Sequence, residues 1–309
     1  MSRLLVSGLI NIETTLRVDQ FPIHYSPVRY PFWGVATTVS GVGYNVAKAL
    51  TTLGNEVPFV SLVGRDPQGN LVLDQLVADN LSRRHIRRDL DQTPQSVILY
   101  DGEGRRQINV DLKDIQERTY PEESFVSALQ GCEIAVLCNV NFSRPFLAIA
   151  KRHGIPIATD VHAVSNLDDD YNRDFMAAAD ILFMSDDSLP MPAAAWAERI
   201  MERYGPKILV IGLGGQGALL ALRDPRRTVR LPAVRTRPVV NTVGAGDALF
   251  SAFLHVYART RNTYAALKRA IVFASYKIGE KGAAEGFLTE AELERWYGET
   301  KDQFPADRL

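Results

Sequence analysis

The stretch IAVLCNVNFSRPFLAIAKRHGIPIAT, residues 134–159, decides the fold class. Ile134 to Leu137 and Ile155 to Thr159 are short apolar runs of strand length, and Arg144 to His153 between them has a helical period. Two buried strands joined by a helix describe a parallel crossover unit. The pattern continues outward in both directions. Ile181 to Met184 and Ile208 to Ile211 are further apolar strands, with helices predicted at Tyr171 to Ala178 and Ala193 to Tyr204. Towards the start, Leu4 to Ile10 and Val57 to Val63 read as strands. Gly43 to Leu53, closed by Gly54, and Gln68 to Asn80 read as helices. Ala245 to Arg259 and Tyr264 to Ile278 add two more. Alternation of this kind predicts an α/β fold, with a mostly parallel central sheet and helices on both faces.

Two pieces break the alternation. Residues 12–39 contain Pro22, Pro27 and Pro31, no helical period and many β-formers, which predicts irregular or edge β-structure. Val97 to Tyr100 and Arg106 to Val110 predict a hairpin around Asp101-Gly102-Glu103-Gly104. Both pieces are expected to pair into a small sheet outside the main one. With no internal repeat or low-complexity linker, residues 1–309 are read as a single domain.

Composition narrows the function. The 309 residues carry 35 Lys+Arg against 36 Asp+Glu, a net charge of −1, which opposes a dedicated nucleic-acid binder. The clusters Arg83-Arg84 with Arg87-Arg88 and Arg223 to Arg230 are interrupted by acidic residues and read as solvated loops. Mean hydropathy is −0.09, and no apolar run is long enough to span a bilayer. The opening residues turn polar too soon for a signal peptide, and Cys132 and Cys138 are too few for a disulfide framework. A cytoplasmic location is expected.

The strongest site signal is Val239 to Phe253, where an extended apolar stretch runs into Gly244-Ala245-Gly246-Asp247 and then an amphipathic helix. Small residues at a helix start let backbone N–H groups approach an anion closely. A carboxylate among them suits a base that takes a proton from an attacking hydroxyl. By itself the segment also fits a helix cap with glycine for tight packing. The second signal, Ser40-Gly41-Val42-Gly43-Tyr44-Asn45, again opens a helix with small residues, and its amide suits sugar hydroxyls. A glycine turn before a packed helix explains it equally. Gly212 to Gly217 has G-x-G-x-x-G spacing, but strand-length Ala218 to Leu222 follows where a dinucleotide site needs a helix, so a glycine hairpin is expected. The five histidines show no metal-ligand spacing, no metal-ligating set is read, and Asp168 to Asp170 and Asp186-Asp187 read as caps or solvated turns.

Together, Gly41-x-Gly43-x-Asn45-x-Ala47 with Leu53-Gly54, and Asn241-Thr242-Val243-Gly244-Ala245-Gly246-Asp247, resemble the two signatures of the PfkB (ribokinase-like) carbohydrate and nucleoside kinases. Gly8-x-x-Asn11, Val63-Gly64-x-Asp66-x-x-Gly69 and Lys281-Gly282-Ala283 extend the resemblance over nearly the whole chain. It implies a Rossmann-like domain with a small β-lid at about 12–39 and 95–111, often used to form a homodimer. It implies ATP with Mg²⁺, Asp247 as the base, and the N–H groups of Gly244, Ala245 and Gly246 as the anion hole. Asn11, Glu13, Gly41, Gly43, Asn45 and Asn141 would hold the acceptor. Ser185, Gly214, Gly217, Asn241, Thr242 and Gly282 would border the nucleotide.

Several positions depart from the family pattern. Asn241 stands where an Asp usually helps bind a monovalent cation, so strong K⁺ activation is not expected. Glu13 replaces the usual substrate-binding Asp, and Ser40 a usual Gly. Ser185-Asp186-Asp187-Ser188 replaces an N-x-x-E phosphate and Mg²⁺ motif, so either Asp186 or Asp187 takes that role through water or metal handling is weakened. Gly41-Val42-Gly43-x-Asn45 and Asn139 to Ser143 resemble pseudouridine kinase and its nucleoside-phosphorylating relatives, favouring a pseudouridine- or ribose-like acceptor. Phe32 and Trp33 would stack on a base or sugar, fill the lid's own core, or meet a second copy. The expected activity is ATP-dependent phosphorylation of a hydroxymethyl group. A catalytically silent sugar- or nucleoside-binding protein is the alternative.

Overall fold

A computed structural model describes residues 1–103 and 105–305. Its centre is the crossover unit predicted at residues 134–159: β8 (Ile134–Leu137), α4 (Arg144–Arg152) and β9 (Ile157–Asp160). On one side of β8 lie β1 (Leu4–Ser7), β4 (Phe59–Gly64) and β5 (Ile86–Leu90). On the other, β9 is followed by β10 (Ile181–Ser185), β11 (Ile208–Gly212), β12 (Ala218–Leu222) and β13 (Arg227–Leu231). The nine-stranded order is β13-β12-β11-β10-β9-β8-β1-β4-β5, parallel throughout except at β12 and β13. The chain winds outward from β1 one way and from β8 the other. The carboxyl ends of that pair are therefore where a ligand crevice is expected.

Helices cover both faces. One core layer joins α1 (Val42–Thr52), α2 (Pro67–Ala78), α7 (Ala245–Thr260), α8 (Thr263–Lys277) and α9 (Glu290–Thr300) to the sheet. The other joins α3 (Glu122–Leu129), α4, α5 (Arg173–Ala178) and α6 (Ala193–Arg203). Phe253 of α7 lies 5.2 Å from Phe183 and 5.9 Å from Tyr257, ring centre to ring centre. Truncating such a buried aromatic to alanine costs about 3–5 kcal/mol, which measures how firmly α7 is seated.

The second sheet has four strands in the order β3 (Val35–Ser40), β2 (Asn11–Arg17), β6 (Gln95–Tyr100), β7 (Arg106–Asp111). It is the small sheet expected from the two β-rich pieces. β2 pairs in parallel with β6, and the other two ladders are antiparallel. The turn of the predicted hairpin includes Gly104, which lies outside the described residues.

The structure corrects several readings. The strand predicted over Leu4 to Ile10 stops at Ser7, because the chain leaves the main sheet at Gly8 and begins the second one at Asn11. A Cβ on Gly43 would stand 2.4 Å from the Gly8 backbone, so the first turn of α1 crosses that break at glycine-only distance. Residues 12–39 are two regular strands around an irregular 18–34, not irregular throughout. Within the basic run Arg223 to Arg230, Arg227 onward forms β13: Arg227, Thr228 and Arg230 are exposed, but Val229 packs half-buried on the core and the backbone pairs with β12. β5, α3 and α9 were not read from the sequence; β5 carries Arg87, Arg88 and Asp89, which hide its strand character. Gly212 to Gly217 does lead into the antiparallel hairpin expected there. Phe32 and Trp33 are almost wholly exposed, so they do not fill the lid's core.

Candidate active site

Asp247 lies in the first turn of α7, buried to 8% exposure. The helix begins at Gly244 in the left-handed region (φ 77°), where a Cβ would stand 2.4 Å from the Ala283 carbonyl oxygen. Only glycine satisfies both conditions. No side chain caps this helix, whereas Asp66, Asn262 and Thr289 cap α2, α8 and α9. The first-turn N–H groups of a helix lack intrahelical acceptors; Ala245 N–H donates to Thr242 O at 3.2 Å, and the uncapped start beside Gly244 and Gly246 offers donors and positive dipole to an anion.

A polar chain runs from this helix to the second sheet. Asn45, on the first turn of α1, donates through Nδ2 to Asp247 Oδ2 at 2.7 Å. Ser40 Oγ lies 3.4 Å from Asn45 Oδ1 and 3.1 Å from Glu13 Oε2, and donates to one or the other. Asn11 donates to Ser96 Oγ at 3.0 Å. Alternation puts Asn11 and Glu13 on one face of β2, and the strand registers place Ser40 and Ser96 on that same face. Two buried acceptors there, Asn11 Oδ1 and Glu13 Oε1, have no partner among the described residues. Leaving such atoms unpaired is costly, so the face is prepared for hydroxyl donors.

Electrostatics concentrate at the same place. Burial raises the pKa of Asp247, and Asp160 adds to the rise; the Asn45 hydrogen bond, His162 and Lys277 oppose it. Glu13 is also raised, chiefly by burial and then by Asp247, against Ser40 and Lys277. Burial pushes the Cys138 thiol up as well, with Asp247 and Asp160 contributing. A carboxylate raised above its ordinary range and hydrogen-bonded beside a helix start has the chemistry of a base for a hydroxyl proton.

The remaining expected positions separate into groups. Gly41 and Gly43 shape the start of α1 through their backbones. Asn241 accepts from Val243 N at 3.0 Å and donates to Lys281 O at 2.8 Å, and Gly282 N donates to Glu285. Thr242 Oγ1 accepts from Arg106 Nη1 at 2.7 Å, a contact from the second sheet to the turn before α7. Ser185 lies beside Gly212 at the ends of β10 and β11, next to the turn of Gly214 to Gly217. A Cβ on Gly214 or Gly215 would meet nothing within 4 Å, so that side of the turn is an open ledge, whereas one on Gly217 would stand 2.0 Å from Leu231 O. Asn141 is not hydrogen-bonded into the Asp247 cluster: Nδ2 donates to Gln116 O at 3.1 Å and Oδ1 accepts from Arg144 at 3.2 Å. Its side chain is occupied in tying that loop together.

Sequence reasoning missed Ser96, Arg106, Asp160, His162 and Lys277. Lys277 did leave a signal, for it falls on the helical face that Ala270 and Phe273 bury. Among the described residues no group of three or more His, Cys, Asp or Glu could hold a metal, and no helix is long and apolar enough to cross a membrane.

Comparison with known proteins bears on this geometry. The family profile described as pfkB family carbohydrate kinase matches residues 1–291. The chain belongs to the PfkB carbohydrate kinase family. It is 26% identical over 249 residues to a fructosamine kinase of Bacillus subtilis, covering 79% of this chain and 84% of that one. It is 25% identical over 298 residues to a deoxyribokinase of Salmonella typhimurium, covering 91% and 94%. The structure of a microbiome-derived acarbose kinase superposes with a TM-score of 0.85 at 24% identity, over 96% of this chain and 99% of that one. A PfkB kinase is thus a phosphotransferase acting on a sugar or nucleoside, and the ribokinase-like fold with its small second sheet agrees with that assignment.

Proposed function

We propose that this PfkB kinase transfers the γ-phosphoryl group of ATP to a hydroxymethyl group of a ribose-like sugar, free or derivatised. The observation that carries the reading is the buried Asp247 at an uncapped helix start, hydrogen-bonded to Asn45. Asp247 takes the hydroxyl proton as that oxygen attacks the γ-phosphorus. The new O–P bond forms, the bond from γ-phosphorus to the bridging oxygen breaks, and ADP leaves. The helix start of Gly244, Ala245 and Gly246 faces the charge on the transferring group, the N–H groups of Gly244 and Gly246 donating and that of Ala245 turning to it from Thr242 O. Asn11, Glu13 and Asn45 hold the remaining hydroxyls, the first two through their unpaired oxygens. The Gly214 to Gly217 ledge, Ser185, Asn241, Thr242 and Gly282 border the nucleotide.

The donors present fit Mg²⁺ on the ATP phosphates. Asp186 and Asp187 sit side by side after β10, and burial with the neighbouring charge of Asp187 raises the Asp186 pKa, an arrangement that a cation relieves. Held by Asp186 or Asp187 together with the ATP phosphates, Mg²⁺ would neutralise phosphate charge. The sugar names of the two relatives favour a sugar over a nucleoside, and ATP as donor suits a cytoplasmic location.

A second copy is proposed to cover the site-facing side of the small sheet. Ile108 and Val110 of β7 share a face with Ile98 and Ser96 by register yet are about half exposed, and Tyr30, Phe32 and Trp33 stand uncovered nearby in sequence to β3. Sedimentation should give a dimer for the native chain and a monomer for Ile108→Glu with Trp33→Glu; an unchanged mass would refute the lid interface.

The activity is tested by ADP release with Mg·ATP across pentoses, hexoses, an aminated ketose and nucleosides including pseudouridine, with Asp247→Asn in parallel. Acceptor-dependent ADP release that the variant loses supports the mechanism. Equal turnover by the variant removes Asp247 as base. Acceptors that raise the melting temperature of the native chain without ADP release return the silent-binder alternative.

A further inference from the structure

Glu13 of β2 and Asp247 of α7 are two buried carboxylates facing one acceptor site; burial raises the Glu13 pKa, and the charge of Asp247 adds to the rise. A cation faces both. Lys277, in the last turn of α8, is fully buried, and its ammonium donates to the Val243 carbonyl in the turn leading to Gly244. Burial lowers the Lys277 pKa from 10.5 to about 8; Asp247, Glu13 and Glu285, after α8, favour its charged form, while Arg106 of β7 opposes it. The other groups acting on Asp247 are Asn45 from α1 and Asp160 and His162 at the end of β9, while Asp247 itself helps raise the Cys138 thiol at the end of β8. Burying an ammonium costs several kcal/mol unless its charge and protons are used, so this position needs a reason.

We propose that Lys277 is a positioning residue for phosphoryl transfer: a tethered cation that fixes the Val243 carbonyl, and with it the anion cradle, while keeping Glu13 and Asp247 ionised together. Two carboxylates in a dry site do not both ionise without a compensating charge. The same ammonium anchors the middle of the turn whose start Asn241 ties to Lys281. Because the charge is covalently attached, the site requires no dissolved monovalent cation. Removing it should create such a requirement. The inference rests on Asp247 as the base.

The test compares the native chain, Lys277→Met and Lys277→Ala in choline chloride and in ammonium chloride at equal ionic strength. Turnover is read with Mg·ATP and the best acceptor of the panel, and thermal unfolding is read in the same salts without substrate. The native chain should behave alike in both salts. Lys277→Met should lose about 100-fold in kcat in either salt, with both KM values within about threefold, as expected for a charge used in the transition state. Lys277→Ala should lose as much in choline, regain about tenfold in ammonium, and alone show a melting temperature raised by ammonium. A Lys277→Met kcat within about threefold of native overturns the inference, as does a Lys277→Ala variant indifferent to ammonium in both readouts. Should no acceptor be turned over, the thermal comparison decides. An active Asp247→Asn points to failure of the base assignment, whereas an inactive Asp247→Asn beside an active Lys277→Met points to failure of the Lys277 role alone.

Discussion

Replacing Asn45 with alanine takes away the only side-chain donor hydrogen-bonded to the Asp247 carboxylate in the described residues, at 2.7 Å in a buried site. That bond favours the carboxylate, and burial and Asp160 work against it. Its loss therefore moves the Asp247 pKa further up. A buried hydrogen bond to a charged group contributes about 1.5–3 kcal/mol, and each pH unit corresponds to about 1.36 kcal/mol. The acid limb of kcat/KM should accordingly rise by about one to two pH units. The sign follows from the role: a base works only when deprotonated, so activity falls as pH drops through its folded-state pKa. The assay is kcat/KM against pH for native and Asn45→Ala enzyme with one acceptor, with unfolding followed in the same buffers. An acid limb that stays in place, or moves down, would refute the coupling of Asn45 to the base.

Three further outcomes are expected. His255 is buried against Asn55, and burial lowers its pKa from 6.5 to about 4, so its neutral form stabilises the fold at neutrality and this is lost as pH falls from 6.5 towards 4. At ~1.36 kcal/mol per pH unit the loss approaches about 3 kcal/mol, and urea unfolding at both ends of that window should show a shallower pH slope for His255→Gln; an equal slope refutes it. Gly244→Ala places a side chain at φ 77° and 2.4 Å from Ala283 O; the dihedral alone costs about 1–2 kcal/mol, and both turnover and melting temperature should drop, so native-like turnover would contradict the cradle. Arg106→Met cuts the bridge from β7 to Thr242, and should lower kcat/KM by about tenfold while leaving the melting temperature nearly unchanged; an equal kcat/KM would show the bridge to be incidental.

Much of the fold was legible because local order carried it. Ile134 to Leu137, Ile181 to Met184 and Ile208 to Ile211 are apolar runs whose hydrophobicity and length suit buried parallel strands, and they form β8, β10 and β11. The two glycine signatures were legible for a steric reason. Gly43 must pass Gly8 at backbone distance and Gly244 must turn left-handed against Ala283, so neither position admits another residue. Elements that bury little or carry charges on their exposed sides, such as β5 and β13, gave no periodic signal.

The sequence by itself determined the α/β alternation, the two glycine-framed helix starts, and Asp247 and Asn45 as residues of chemical interest. Tertiary structure alone decided that these two meet across 202 positions, that Glu13 and Asn11 point unpaired oxygens towards the same space, and that Lys277 lies beneath the turn they share. It also decided that Asn141 is occupied elsewhere. Helix and strand periods report neighbours within a few residues, set by backbone geometry. Which charges face one another depends on how separate elements pack around the β1–β8 switch, and no local period records that distance.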